Sequence, residues 1–254
     1  MARPIEFYFW PTPNGWKISI ALEEMKLKYE MKPVTIGKGD QFKPEFMEIS
    51  PNNRMPAIVD PRGPGGKPIS IFESGAILQY LGRQKTKFYP RDGRKRVEVE
   101  KWLFWQMGGL GPMAGQHSHF FSYAPRLVDQ PGAIEYSVKR YANEYNRLLG
   151  VMERRLADRA FIAGDFYSVA DMAAWPWARV APNMNQPLDG FPKLKDWVER
   201  IGARKAVVKA LAVGAEFRRN FKTLSKEEAA ETARNLFGQT AASVESATKT
   251  ASST

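Results

Sequence analysis

Ser50–Gly82 reads SPNNRMPAIVDPRGPGGKPISIFESGAILQYLG, and this stretch decides the fold. Ala57-Ile58-Val59 and Ile69-Ser70-Ile71-Phe72 are two short strand-like runs. Between them Pro61–Lys67 (PRGPGGK) is so dense in turn formers that a hairpin is the natural connection. Glu73-Ser74-Gly75 then opens a helix, with apolar residues at helical spacing from Ala76 to Leu81. Pro56 stands directly before the first strand, where a missing N–H costs least, and Met55-Pro56 is a candidate cis bond. Entry through that pair leaves the backbone N–H and C=O of Met55 free to bind an extended ligand. Ser74 at the helix start offers a hydroxyl, an N–H and the positive end of the helix dipole, which suits a carboxylate. Glu73 beside it suits an ammonium. Together they fit a zwitterionic peptide end. On spacing alone a plainer reading stands beside it, with Ser74 an N-cap and Pro56 the end of a loop.

Upstream, Ile5, Phe7 and Phe9 alternate with Glu6 and Tyr8 in a first strand. Thr12 is a favoured N-cap and Pro13 is preorganised for the first helical position. Ile18, Leu22 and Met25 continue that helix; Tyr29–Ile36 is a second strand whose Pro33 suggests an edge. Gly37–Glu48 is a loop with a short helical turn, which completes a βαβ…ββα pattern. Lys85–Asp92 makes the best boundary, and the chain turns helical beyond it. Helices are predicted over Val97–Met107, broken near Gly108-Gly109 and Gly111-Pro112, over Ile134–Leu156, and over Leu194–Ile201 and Ala206–Phe217. Ser168-Val169-Ala170-Asp171 has the form of a capping box with Asp for the usual Glu. The division is 1–86, 91–221 and a tail over 222–254. In that tail Leu224–Phe237 can form one helix, and Gly238–Thr254 has the composition of a disordered segment.

The chain of 254 residues, 43% of them hydrophobic, can bury a substantial core as one large domain or two small ones. No apolar run approaches the ~20 residues of a membrane span. MARPIEFYF enters a strand directly, without the features of a cleaved signal, so a cytoplasmic location is expected and a membrane partner is not. The absence of cysteine excludes disulfides, thiolate metal sites and a protein-thiol nucleophile; thiol chemistry would need a thiol from a ligand. A net charge of +11 raises nucleic-acid binding. The basic residues are dispersed, however, and no nucleic-acid signature accompanies them. The densest cluster, over Arg83–Arg96, reads as solvated surface or as a positive field for an anionic ligand. The two histidines, His117 and His119, lack the further ligands a metal needs, and flanking a cleft is the expected role.

SPNNRMPAIVD followed by FESGAILQYL resembles the thioredoxin-like domain of glutathione transferases. The likeness continues through PTPNG at Pro11–Gly15, GKGDQFKPEF at Gly37–Phe46, WLFWQMGGLGPM at Trp102–Met113 and SVADMAAWPW at Ser168–Trp177. As a set, spanning about Ile5 to Phe217, these motifs resemble the nu class, bacterial transferases related to disulfide-bond reductases. The resemblance implies an α/β thioredoxin-like N-terminal domain, an all-α C-terminal domain, glutathione as cosubstrate, no metal and a homodimer. It places Thr12 and Asn14 at the glutathione sulfur, Gln41 at the glycyl end, Met55 on the backbone, and Glu73 and Ser74 at the γ-glutamyl end. Arg140, in SVKRYANEY, falls where the disulfide-reductase relatives carry a basic residue near glutathione. Ser168 and Asp171 are implied to be structural. Trp16 departs from the family's polar residue, and an indole there can narrow the second-substrate site; aromatics around His117–Tyr123 can line it. The implied reaction is reduction of disulfides with two glutathione molecules. The alternatives are a transferase or lyase acting on aromatic electrophiles or ethers, and a non-catalytic glutathione-binding or regulatory protein.

Overall fold

The computed structural model describes residues 3–86, 88–218 and 223–242. Strand β1 (Ile5–Phe9) buries Ile5, Phe7 and Phe9 on alternate positions and lies inside a four-stranded sheet. The order is β2-β1-β3-β4. β2 (Tyr29–Pro33) runs parallel to β1, β3 (Ala57–Asp60) antiparallel to it, and β4 (Ile69–Phe72) antiparallel to β3. β2 is an edge strand, as Pro33 predicts, but it stops there rather than at Ile36, which begins a helical turn. A proline cannot donate to the ladder, and pairing ends with it.

A parallel pair needs a crossover, supplied by α1 (Pro13–Glu24). Thr12 caps it by accepting the Gly15 N–H at 3.2 Å, with Pro13 next in line. Gly15 is forced by crowding: a Cβ there would lie 2.3 Å from the Trp10 carbonyl oxygen. α2 (Pro44–Met47) is a single turn, and α3 (Ser74–Gln84) follows β4. Every residue of α1 from Gly15 to Leu22 is buried, because α3 packs beside it and the helices Val169–Val180 and Lys205–Ala212 of the helical half cover it.

That half begins with α4 (Gly93–Trp105) and α5 (Gly111–Ser118), on the far side of Lys85–Asp92 from α3. The predicted break between them is absent. The chain widens into a π-helical turn over Gln106–Leu110 and continues. Pro112 sits in the first turn of α5, where its fixed φ is already helical, and the wider turn absorbs the altered hydrogen bonding. A second π turn spans His119–Tyr123. Next come α6 (Glu135–Arg155), α7 (Val169–Val180), α8 (Pro192–Gly202), α9 (Lys205–Ala212) and α10 (Lys226–Phe237).

The capping box before α7 is formed, and its acid does more than cap. Buried Asp171 accepts from Ser168 N and Oγ at 2.9 Å, Ile162 N at 3.0 Å and Trp197 Nε1 at 3.1 Å. Burial pushes its carboxyl up to about 6, against the pull of those donors. Arg204 forks onto Glu24 (Nη2–Oε2 2.9 Å) and ties the end of α1 to the helical half. No described helix is long and apolar enough to cross a membrane.

Candidate functional site

A cavity of about 570 Å³ opens between the sheet half and the helical half, within the ~300–1,000 Å³ usual for small-molecule sites. Thr12, Asn14, Gln41, Met55 and Glu73 all line it, so the structure brings together most of the residues singled out by sequence. Gln106, Met107 and Trp177 form the helical wall, and Leu236 and Phe237 of α10 close the rim.

Each lining group is held in a defined state. The Thr12 hydroxyl caps α1 and directs its own hydrogen to the Met55 sulfur at 3.7 Å, a weak acceptor that a stronger one can replace. Trp177 Nε1 donates to Asn14 Oδ1 at 3.1 Å. An indole N–H can only donate, so this contact fixes which end of the amide is oxygen and leaves the NH2 hydrogens unspent. Gln41 is oriented in the same way: its Nε2 donates to the carbonyls of Ile36 (3.1 Å) and Asn235 (3.2 Å), and its buried Oε1 has no partner. The Met55-Pro56 bond is cis, and the Met55 backbone N–H and C=O bond to no described residue. Glu73 caps α3 with φ at 68°, a region non-glycine residues seldom occupy and one that recurs at ligand clamps.

Ser74 differs from the reading of it as an N-cap. It is the first helical residue, 5% exposed, and does not line the cavity. Its hydroxyl accepts from Lys17 Nζ at 3.3 Å and points at the Met107 sulfur. Lys17 was missed by sequence reasoning. It is 1% exposed, lines the cavity floor, and donates also to Gln106 Oε1 at 2.8 Å. No described carboxylate forms an ion pair with it. Burial pushes its amine down to about 7, with Glu73 pulling the other way. The available signal was a lone charge in the otherwise uncharged run Pro13–Leu22. Arg54, likewise missed, lines the cavity; its carbonyl accepts from the Ser50 hydroxyl at 2.8 Å, and its guanidinium has no hydrogen bond or ion pair to any described residue.

Arg140 does not join the cavity. It shares the outer face of α6 with Glu144 and Arg147, and its nearest charged neighbour is Glu144 at 4.0 Å. The inner face carries Tyr145, Leu148, Leu149 and Met152 instead. Trp16 also stays out. It is buried beneath the guanidinium groups of Arg179 and Arg218, at 5.5 and 5.6 Å. The His117–Tyr123 aromatics are likewise absent from the cavity wall. His117 is a core residue bonded to the Met184 carbonyl at 2.8 Å. Among the described residues no group of three or more His, Cys, Asp or Glu could hold a metal ion.

Residues 4–83 match the family model for the glutathione S-transferase N-terminal domain, and residues 120–205 match that for the C-terminal domain. The chain belongs to the glutathione S-transferase family. Disulfide-bond oxidoreductase YfcG of Escherichia coli K12 is 47% identical over 208 residues, 82% of this chain and 94% of that protein. Two solved structures share the fold of this transferase closely. A glutathione transferase family member from Pseudomonas fluorescens Pf-5, with two glutathione bound, superposes at a TM-score of 0.76 and 41% identity, covering 82% and 92% of the two chains. A glutathione transferase from Pseudomonas putida, with one glutathione disulfide per subunit, reaches 0.78 and 40%, covering 84% and 92%. Sequence-predicted fold and family agree with these findings. α10 lies beyond both matched family domains.

Proposed function

We propose that this transferase reduces small disulfides with two molecules of glutathione, the first held along Met55 with its sulfur at Thr12 and Asn14. One observation carries the reading: in a chain without cysteine, Trp177 fixes the Asn14 oxygen and leaves its NH2 free, and Asn14 and Thr12 line one cavity. The names of the relatives support it, since one is a disulfide-bond oxidoreductase and two hold a pair of glutathiones or glutathione disulfide. The first thiolate attacks a sulfur of the substrate disulfide, the S–S bond breaks, and the leaving thiolate takes a proton from solvent. The second thiolate attacks the glutathione sulfur of the mixed disulfide and releases the other thiol. Two glutathiones are oxidised to their disulfide, and one substrate disulfide becomes two thiols.

A free thiol of pKa ~8.5 needs a shift of about two units to be mostly thiolate at neutral pH, worth ~2.7 kcal/mol. Thr12 and Asn14 cannot take the proton, but each can donate to the anion for ~1.5–3 kcal/mol, and the start of α1 adds its dipole. Two donors therefore suffice without a general base. Glu73 takes the ammonium in this reading, and Gln41 Oε1, as an acceptor, takes an N–H at the glycyl end rather than the carboxylate. Arg54 is the cation left for a carboxylate. The same proposal includes a cytoplasmic location, where a reduced glutathione pool exists, and a homodimer. Val97 and Phe104, seven residues apart on α4 and 52% and 64% exposed, support the dimer.

The test is the Thr12→Val, Asn14→Ala double variant. Its bound glutathione should titrate at least one pH unit higher by thiolate absorbance in the ultraviolet, with turnover of 2-hydroxyethyl disulfide falling accordingly. An unshifted titration removes both residues from the chemistry. Faster turnover of a chlorinated aromatic than of any disulfide would favour the conjugating alternative.

A further inference from the structure

α10 reaches the cavity from far along the chain and docks at two separate points. At one, Asn235 Nδ2 donates to the Gly37 carbonyl at 2.7 Å, while Gln41 Nε2 donates to the Asn235 carbonyl at 3.2 Å. The approach is close because small residues meet: Ala229 and Ala233 are buried, and a Cβ at Gly37 would lie 3.3 Å from Thr232 Oγ1. At the other point the Phe237 ring packs edge-on against His119 (4.4 Å between centroids) and beside Tyr123 (5.2 Å). The helix therefore spans from the Gly37–Gln41 turn of the sheet half to the second π turn of the helical half. Its end puts Leu236 and Phe237 on the wall shared with Thr12 and Asn14.

We infer that α10 is a specificity element, a strap that closes the acceptor end of the cavity and admits low-molecular-weight disulfides while excluding disulfides carried on proteins. The inference rests on the proposed disulfide chemistry. Its reasoning is steric. A disulfide must bring one sulfur in line with the bound thiolate, and a small molecule can enter the cavity whole. A protein disulfide has to bring a surface up to Thr12 and Asn14, and α10 occupies the approach. Gln41 makes the strap part of the binding site as well. Its Nε2 holds α10 while the residue lines the cavity and keeps a buried oxygen without a partner, so the seat of the helix and the seat of a ligand share a side chain.

Phe237→Ala opens the wall, and Asn235→Asp replaces the donor on Gly37 with an oxygen that the carbonyl repels. For wild type and both variants, kcat/KM is measured with 2-hydroxyethyl disulfide and with insulin as the protein disulfide, with glutathione saturating and circular dichroism confirming the fold. The wild type should strongly prefer the small disulfide. In each variant the insulin-to-small ratio should rise at least tenfold. A ratio that stays within twofold in both variants overturns the strap while leaving the disulfide chemistry intact, and so does a wild type that reduces both substrates equally well. A wild type that binds glutathione but reduces neither overturns the functional reading and the strap with it.

Discussion

Lys17 gives the sharpest test of the site's electrostatics. Burial has pushed its amine down to about 7, against ~10.4 in an unfolded chain. Between those values the unfolded state holds a proton that the folded state has given up, so this group makes stability rise with pH. Working the linkage from pH 7.5 to pH 9.5 gives a gain on the order of 2–3 kcal/mol from this one group. The perturbation is Lys17→Met, which keeps a long apolar stem and removes the amine. It also deprives Gln106 Oε1 of its donor at 2.8 Å, a loss of ~1–3 kcal/mol that does not depend on pH. The two effects are separable, since one sets the offset and the other the slope. Urea unfolding of both proteins at pH 7.5, 8.5 and 9.5 should show the stability of wild type relative to the variant rising by roughly 2–3 kcal/mol, the background of other titrating groups cancelling between them. A difference constant to within about 0.5 kcal/mol across that range would refute the reasoning. It would mean that the amine is charged in the folded protein, with Glu73 offsetting its burial. A ligand arm follows. An anion at the start of α3 would draw a proton back onto Lys17, so at pH 8 wild type should take up as much as about one proton more than the variant on binding glutathione, the thiol proton that both release cancelling in the comparison, by calorimetry across buffers of contrasting ionisation enthalpy.

Three further outcomes are expected. Asp171→Asn turns one acceptor oxygen of a buried four-donor cluster into a donor; the loss should be about 3 kcal/mol, lowering the thermal midpoint by ~6–12 °C, and a drop under 2 °C would show the cluster to be replaceable. Ser74→Ala should weaken glutathione binding roughly tenfold in calorimetry if its hydroxyl reaches the ligand, whereas unchanged affinity leaves Ser74 as a partner of Lys17 alone. Trp177→Phe frees the Asn14 amide at a cost of ~0.5–1.5 kcal/mol; the thiolate titration of bound glutathione should move upward with it, and a fixed titration with a lower melting temperature would make Trp177 a packing residue only.

What could be read in advance divides by the range of the force involved. The Thr12 cap, the Pro33 edge and the Ser168–Asp171 box are set within a few residues, and the sequence displays them whole. The cavity is assembled from contacts the sequence does not display: Lys17 to Ser74 and Gln106 across 57 and 89 positions, Asn14 to Trp177 across 163, Gln41 to Asn235 across 194. Motif resemblance singled out Ser74, Asn14 and Gln41, one partner in three of these four pairs, neither member of the pair Lys17 and Gln106, and never a whole pair. It also carried Arg140 to the wrong face, because SVKRYANEY specifies a basic residue in a helix, while helix phase decides that it points outward with Glu144 and Arg147.

The expectation of disorder after Gly238 falls largely on 243–254, outside the described residues, but α10 before it was legible as a helix and not as a wall. A trace of its docking does stand in the sequence. Ala229, Thr232 and Ala233 place small side chains at helical spacing on one face, a pattern with no purpose on a helix surrounded by water. Such a face marks a close approach to something without bulk. The chain supplies it in Gly37, whose missing side chain leaves room for Thr232. Small residues reveal that a surface is met, and only the fold reveals which one; here it is the turn that carries Gln41, and so α10 ends at the cavity's rim.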